Sequence, residues 1–316
     1  MTEFTAPQFS PAQQEILSLL GAKPADRPQF DFAIKHQLRA TIEHHLDPLA
    51  SDIPDDTTLW VSKHALTTVH GCEVKWQAEE NEPFEYSVPV ARGTVAHKAI
   101  ELSIHAKGDW PPAELVDESM ARLTEGTDRL AEWLQGIDEV ERAELRAEAV
   151  DRVSGFVELW PPLEARWRPR TESRERQEFC GGKVVLSGKV DLTVGIADGD
   201  RAGKVIVDLK TGRPQMAHRD DLRFYALLDT LRVGIPPRLL ASYYLDAGRP
   251  ETETVTEELL DSAAARVVDG VRSMIEVRSG GRDPVLRPGP PCHWCIAQSQ
   301  CEAGLEFVSR DRDDGW

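Results

Sequence analysis

The chain has 316 residues, of which 41% are hydrophobic and 29% charged, with a formal net charge of −17. This composition is ordinary for a soluble globular protein that can bury a sizeable core. The sequence starts without the basic and apolar pattern of a signal peptide, and no apolar run reaches the roughly 18–20 residues that span a bilayer. We therefore expect a cytoplasmic protein without a membrane partner.

The first half of the sequence predicts helices. Ser10 and Pro11 form the N-cap and first-turn pattern of a helix that ends at Leu20. Ser62 is a second candidate N-cap, for a helix that ends near residues 71–72. Apolar spacing and turn residues predict further helices over 32–49, 93–105, around 130–137 and from about 150 to 160, with a linker at 52–58.

The hydrophobic period changes after Pro161-Pro162. Strands are predicted over 184–194, 204–209 and 241–245, and helices over 219–231 and 257–278. This order predicts an α/β fold in which helices flank a mixed sheet, with an N-terminal helical region and a C-terminal tail that carries cysteines. We expect an N-terminal region and linker at 1–58, the main domain at 59–305 and a tail at 306–316.

The end of the second predicted strand carries charged side chains. A strand alternates its side chains, so Asp208 and Lys210 lie on one face and Leu209 on the other. Asp191, seventeen residues earlier, supplies a second carboxylate one hairpin away, and His97 is a candidate third metal ligand from a helix. Two carboxylates can hold Mg²⁺ or Mn²⁺, and a lysine can orient a water that attacks a phosphate. A lone Asp-x-Lys is more often a solvated surface pair, but here it closes an apolar strand, where charges need a partner.

Three of the five cysteines lie close together near the C-terminus. Cys292, Cys295 and Cys301 form a C-x₂-C-x₅-C run, one thiolate short of a tetrahedral site or a [4Fe–4S] cluster. Cys72 or Cys180 could supply the fourth ligand. From the residues alone, an iron–sulfur cluster, a Zn²⁺ site and a set of buried thiols all remain possible. In the zinc alternative, Cys72 or the imidazole of His293 completes the ligand set.

Three motifs follow one another along the chain: Gly93-Thr94-Val95-Ala96-His97, Gly188-Lys189-Val190-Asp191 and Asp208-Leu209-Lys210-Thr211-Gly212. In this order they resemble the successive motifs of RecB-type PD-(D/E)XK nucleases, over roughly residues 62–301. The resemblance implies a restriction-endonuclease-like core in which His97, Asp191 and Asp208 bind Mg²⁺ or Mn²⁺. It implies that Asp191, Asp208 and Lys210 are catalytic, and we expect the Leu209 carbonyl to complete the metal ligands.

The same family has a helical Gln-x-x-x-Tyr motif that contacts DNA or supports the site. The matching segment is Asp221-Leu222-Arg223-Phe224-Tyr225. Tyr225 fits the motif and is the candidate substrate-binding residue, whereas Asp221 stands where Gln is usual. The cysteine pattern is similar to that of AddB-type and CRISPR-associated adaptation nucleases. That likeness implies a [4Fe–4S] cluster held by Cys72, Cys292, Cys295 and Cys301, which clasps the two ends of the domain.

The charge distribution bears on a DNA substrate, because phosphate contacts normally need Lys and Arg. The segment from Glu164 to Arg213 contains eleven Lys and Arg and eight Asp and Glu. The segment from Glu114 to Asp151 contains four Lys and Arg and twelve Asp and Glu. The acidity is therefore concentrated on predicted helices rather than around the candidate site.

We interpret the sequence as a metal-dependent DNA nuclease, with exonuclease action expected, that works in DNA repair, recombination or phage defence. The alternative is a non-catalytic subunit that binds DNA or a partner and keeps the nuclease fold as a scaffold. The sequence has no G-x-x-x-x-G-K-[ST] phosphate loop. Any ATP-driven unwinding would therefore come from a helicase or another protein subunit.

Overall fold

The computed structural model describes residues 9–82, 84–106 and 108–313. Its strands form one mixed sheet, in which β1 and β3 are parallel, β4 and β5 are parallel, and the other pairs are antiparallel. The strands are β1 (Leu59–Val61), β2 (Arg170–Phe179), β3 (Val184–Val194), β4 (Val205–Lys210), β5 (Leu239–Tyr244) and β6 (Arg249–Thr254). The order is β1-β3-β4-β5-β6, and β2 pairs with the other edge of β3.

Helices cover both faces of this sheet. They are α1 (Pro11–Leu20), α2 (Ile34–Leu46), α3 (Lys63–Gly71), α4 (Glu73–Asn81), α5 (Val88–His105), α6 (Pro112–Thr124), α7 (Arg129–Gly136), α8 (Glu139–Leu159), α9 (Ala217–Val233), α10 (Glu257–Arg278) and α11 (Glu302–Asp313). Ser10 caps α1 in a capping box with Gln13, and Ser62 caps α3 by accepting from the Ala65 N–H. Within the described ranges, no helix combines the length and apolar character needed to cross a membrane.

The core has two parts, one on each face of the sheet. On one face α2, α3, α9 and α10 pack against apolar side chains such as Leu186 and Ile206. On the other face α1 and α5–α8 pack against side chains such as Val207 and Leu209. Because Ile206 and Val207 belong to opposite parts, Asp208 and Lys210 lie on the face covered by α3 and α9.

Along the edge opposite β2, β3 pairs first with β1 and then with β4. Pairing with β1 ends at Leu186, and pairing with β4 begins at Leu192. Gly188 lies between these two stretches, where a Cβ would come within 2.6 Å of the Tyr225 ring. A side chain at this position would therefore displace α9, which carries Tyr225. The absence of a Cβ lets α9 pack close to the place where β3 and β4 diverge.

The predicted fold class is confirmed, including the mixed sheet and its flanking helices. The boundaries of β3 and α10 agree with the prediction, while α5 begins at Val88 and α8 at Glu139, both earlier than expected. Strands β1, β2 and β6 and helices α4, α6 and α11 were not predicted. The sequence of β2, R-T-E-S-R-E-R-Q-E-F, is rich in charge because most of its side chains are exposed or half-buried. Residues 1–8, which entered the localisation prediction, and 314–316 lie outside the described residues.

Candidate functional site

A cleft opens where β4 ends between the two helical layers. Its volume is about 320 Å³. The residues that line it include Lys63, Gly93, Thr94, His97, Asp208, Leu209, Lys210, Thr211, Gly212, Arg213 and His218. The first comes from α3, the next three from α5 and the others from β4, the following loop and α9. Of the four charged residues that the sequence placed at one site, His97, Asp208 and Lys210 line this cleft. The fourth, Asp191, lies on β3 and contacts two of the cleft residues, His97 and Leu209.

Asp208 is the most deeply buried charged residue of the cleft, with 1% of its surface exposed. Its Oδ1 accepts a hydrogen bond of 3.0 Å from Lys63 Nζ. Its Oδ2 lies 2.7 Å from Lys210 Nζ, but within the described ranges no donor reaches this oxygen in hydrogen-bond geometry. A buried carboxylate oxygen without a hydrogen bond is costly unless a further cation or donor reaches it. The residues at this position thus fit a divalent metal.

Asp191 is fixed by both the sheet and α5. Its Oδ2 accepts a 2.8 Å hydrogen bond from the Leu209 N–H, at the point where β3 and β4 separate. Its Oδ1 lies 3.4 Å from His97 Nδ1. Burial acts to raise the pKa of the Asp191 carboxyl, but His97 and Lys63 outweigh it and hold that pKa well below its usual range. Asp191 is therefore a preorganised anion.

His97 responds to the same carboxylates. Burial acts to lower the pKa of its imidazole, but the charges of Asp191 and Asp208 raise it above the ordinary value. A divalent metal would replace this proton as the positive partner of the carboxylates, since a metal ligand must be the neutral imidazole.

Glu172 is a candidate ligand that the sequence reasoning missed. Among the described residues, the group of His, Cys, Asp and Glu whose ligand atoms approach within 4.8 Å of one another is His97, Glu172 and Asp191. Glu172 has a φ of 51°, and it lies between two residues of β2 that pair with the neighbours of Asp191. The signal was available: a hairpin closed at Gly181-Gly182 brings residue 172 opposite residue 191. The residue was missed because β2 is rich in charged side chains and was not predicted as a strand.

Lys63 is a second residue that the sequence reasoning did not select. Its Nζ lies 3.8 Å from Asp221 Oδ2, and Lys210 Nζ lies 3.0 Å from the same oxygen. Burial acts to lower the pKa of Lys63, but Asp208 and the other nearby groups raise it. Asp221, which occupies the position where the resemblance has Gln, therefore bridges two charged lysines.

Tyr225 lies beneath Lys63. Its ring centre is 4.9 Å from Lys63 Nζ, and only 2% of the residue is exposed. Burial raises the pKa of its hydroxyl. Tyr225 supports the lysine through a cation–π contact.

The four cysteines named as cluster ligands line a second cavity, of about 370 Å³. Cys72 lies between α3 and α4, while Cys292, Cys295 and Cys301 come from the segment between α10 and α11. Cys180 is not among the residues around this cavity. Its thiol contacts Asp47, and burial raises its pKa to about 12. The structure thus brings together Cys72 and the three C-terminal cysteines.

An ion-pair network ties the two chain segments together beside this cavity. Glu73 is 3% exposed and receives two hydrogen bonds from the Arg282 guanidinium, at 2.5 and 2.9 Å. It also accepts from the Val285 N–H at 2.8 Å, and the Val285 carbonyl accepts from the Glu73 N–H. The Arg282 hydrogen bonds outweigh burial and hold the pKa of Glu73 at about 2. These contacts join α4 to the segment between α10 and α11, here called the cysteine segment, without a metal or cluster between them.

Comparison with known proteins gives one family. Residues 61–302 match the model of the PD-(D/E)XK nuclease superfamily. Among solved structures, a proposed exonuclease from Eubacterium rectale is 13% identical, with a TM-score of 0.45, over 76% of this chain and 87% of that one. The protein SSO0001 is 16% identical, with a TM-score of 0.32, over 67% of this chain and 95% of that one. The search of curated proteins gave no match.

Proposed function

Because this chain belongs to the PD-(D/E)XK nuclease superfamily, we propose that it is a RecB-type deoxyribonuclease that depends on Mg²⁺ or Mn²⁺. We further propose exonuclease action, in DNA repair, recombination or phage defence. The observation that carries the proposal is the buried Asp208 carboxylate, whose Oδ2 has no hydrogen-bond partner among the described residues. It lies beside Lys210, in a cleft that His97 also lines and that Asp191 adjoins.

The metal would be held by Asp208, Asp191, His97 and the Leu209 carbonyl. Carboxylate and carbonyl oxygens are the ligands that Mg²⁺ and Mn²⁺ prefer, and an imidazole is compatible with Mn²⁺. A bound metal would polarise the scissile phosphate and lower the pKa of a water. Glu172 belongs to the same proposal as a further carboxylate, because its oxygen lies within 4.8 Å of ligand atoms of His97 and Asp191.

Lys210 and Lys63 would bind the phosphate and the attacking water from two sides of Asp208. Lys210 Nζ donates a 3.0 Å hydrogen bond to Asp221 Oδ2, and Lys63 Nζ forms an ion pair with the same oxygen at 3.8 Å. Both therefore stay in the cleft when the Asp208 oxygens are occupied by another cation. Two positive charges offset the extra negative charge that a phosphoryl group develops in the transition state. An Asp at position 221 anchors them more strongly than a neutral Gln, since charge-assisted hydrogen bonds are the stronger ones.

The charge of the chain is compatible with a DNA substrate when its position is considered. The cleft carries Lys63, Lys210 and Arg213, whereas the excess of carboxylates lies in the helices between Glu114 and Asp151. Phosphate binding is consequently local, and the surrounding negative field should make DNA affinity weak and sensitive to salt. A helicase or another subunit that delivers the strand is part of this proposal.

We also propose a structural [4Fe–4S] cluster at Cys72, Cys292, Cys295 and Cys301. Four cysteines around one cavity provide the full ligand number. A tetrahedral Zn²⁺ site needs sulfur atoms about 3.8 Å apart, from Zn–S lengths of about 2.3 Å. No three of these described cysteines bring their sulfurs within 4.8 Å of one another. This spacing does not match a single Zn²⁺. What supports the cluster itself is the likeness of the cysteine pattern to that of AddB-type and CRISPR-associated adaptation nucleases.

Cleavage of end-labelled linear DNA and of circular DNA tests the proposal. Anaerobically purified protein is assayed with Mg²⁺, Mn²⁺ or EDTA, alongside Lys210→Met and the exposed control Lys23→Met. We expect the protein to degrade linear but not circular DNA when a metal is present. Lys210→Met should lose this activity, and Lys23→Met should keep it. DNA binding in EDTA without fragments in any metal would support the non-catalytic scaffold instead.

A further inference from the structure

A third cavity lies at the opposite end of the sheet from the cleft. It has a volume of about 400 Å³ and opens between the end of α1, the chain after α8 and the start of β4. Strand β4 begins here with Val205 and ends in the cleft with Lys210, five residues or about 17 Å away. The cavity therefore belongs to neither the nuclease cleft nor the cysteine cavity.

Its charge is unusual for this chain. Of the eighteen described residues that line it, four are Arg and none is Asp or Glu, although the whole chain carries 54 acidic residues against 37 basic ones. The arginines are Arg27, Arg166, Arg168 and Arg238. Most of the other lining residues are apolar, and Trp160 and Trp167 are among them.

Several polar atoms at this cavity lack partners. Eight buried side-chain nitrogen or oxygen atoms of the described residues have no hydrogen-bond partner, and three of them belong to Arg27, Arg238 and Trp160. For Arg27, no side-chain ion pair or hydrogen bond is found within the described residues. Arg238 donates through Nη2 to the Leu20 carbonyl, which is a neutral acceptor. Two half-buried guanidinium groups thus lie close enough to repel each other, and neither pairs with a carboxylate in the part of the chain that the structure describes.

This arrangement is costly in the free protein. Burial and the charge of Arg27 both lower the pKa of Arg238, and no acidic group acts in the opposite direction. Buried charges are normally paired, because desolvation and like-charge repulsion otherwise oppose folding. An anion that enters the cavity would supply the missing partner. Its remaining volume, walled by aliphatic and tryptophan side chains, requires an apolar portion on the same ligand.

We propose that this cavity binds a small organic anion, with a phosphate or carboxylate group held by Arg27 and Arg238 and an apolar or aromatic body packed against the tryptophan side of the cavity. The site is separate from the nuclease chemistry. Two sources share this chemistry: a nucleoside monophosphate and a medium-chain carboxylic acid.

Calorimetric titration of the full chain tests the proposal. The probes are deoxyadenosine monophosphate and decanoate, each paired with its neutral analogue, deoxyadenosine or decanol. At least one anion is expected to bind saturably, at least tenfold more tightly than its neutral analogue. The anion that binds identifies the source.

Two variants locate the binding. Arg238→Met and Arg27→Met should each weaken binding by tenfold or more, while Arg129→Met, on exposed α7 surface, should leave it unchanged. Arg27→Met keeps the test valid if Arg238→Met fails to fold, because the Arg27 side chain makes no hydrogen bond to any residue that the structure describes. Absence of binding by both anions, or equal binding by Arg27→Met and wild type, would overturn the proposal.

Discussion

The cleft and the cysteine cavity differ in how protein groups hold their residues in place. The cleft is built on buried strand ends: Asp208 is 1% exposed and Asp191 9%, and ion pairs with Lys63, Lys210 and His97 hold both in place. By contrast, no residue from Arg278 to Ala303 is fully buried. This stretch contains three of the four cavity cysteines.

Because of this difference, we expect substitutions in the cleft to change activity and substitutions at the cysteines to change stability. The cleft is preorganised by its own charges, so removal of a metal ligand there should cost activity and little stability. The cysteine segment has almost no apolar core of its own. It is held by the Glu73–Arg282 pair, and under our proposal also by the group that Cys72 and the three C-terminal cysteines would bind. Loss of that group should cost stability and leave the chemistry of the cleft intact.

Asp208→Asn should have the largest effect on activity. A metal contributes several kcal/mol to transition-state stabilisation, so cleavage should fall by about 10³-fold or more. The amide oxygen can still accept from Lys63, and Lys210 keeps its hydrogen bond to Asp221. Neither lysine is left unpaired, so the melting temperature should stay within a few degrees of wild type. Single-turnover cleavage and thermal melting measure the two effects, with Asp198→Asn in an exposed turn as control. Cleavage within tenfold of wild type would remove Asp208 from the site.

Cys295→Ser should produce the largest effect on stability. Metal binding contributes directly to folding free energy, so loss of a few kcal/mol should lower the melting temperature by about 10 °C. The variant should lose the iron–sulfur absorbance but keep cleavage per folded molecule at low temperature. Cys180→Ser is the matched control, because Cys180 lies outside the cavity. Unchanged iron content and melting in Cys295→Ser would contradict the cluster.

Lys63→Met tests whether the second lysine of the cleft binds the phosphate. Loss of one charge-assisted hydrogen bond to phosphate, worth about 2 kcal/mol, should slow cleavage about 30-fold. Because Lys63 and Lys210 share Asp221, Lys63→Met and Asp221→Gln should be non-additive, with a coupling energy of about 1 kcal/mol. A double-mutant cycle in single-turnover kinetics measures it, and strict additivity would show that the bridge has no role.

Glu73→Gln tests whether protein groups also hold the cysteine segment. Breaking a buried pair should lower the free energy of unfolding by about 3 kcal/mol. The control is Glu80→Gln, which breaks the more exposed Glu80–Arg278 pair and should cost less than about 1 kcal/mol. Denaturant unfolding at fixed iron content compares them. Equal losses would mean that the Glu73 pair is no stronger than a surface contact.

The sequence predicted those features that a local pattern encodes. Alternation in β4 was enough to place Asp208 beside Lys210, and Ser10 and Ser62 marked their helix starts correctly. Lys63 was missed because its position depends on the parallel pairing of β1 with β3, a short contact across more than 120 residues. No period within either segment signals that contact.

Glu172 was missed for a related reason. Strand β2 is exposed and charged, so it lacks the apolar alternation by which strands are recognised. Its register with β3 follows from the Gly181-Gly182 turn, but only once β2 is known to be a strand. Similarly, the residues alone left Cys72 and Cys180 open as the fourth ligand, because both precede the C-terminal cysteines. The family resemblance selected Cys72, which is the one that lines the cavity with them.

The most direct test of the central claim is calorimetric Mn²⁺ titration combined with single-turnover DNA cleavage, on wild type, Asp208→Asn and Lys210→Met. Wild type is expected to bind Mn²⁺ and cleave DNA. Lys210→Met is expected to bind Mn²⁺ without cleaving, and Asp208→Asn to do neither. Equal Mn²⁺ binding by Asp208→Asn and wild type, with cleavage retained, would contradict the assignment of the cleft as the metal-dependent nuclease site.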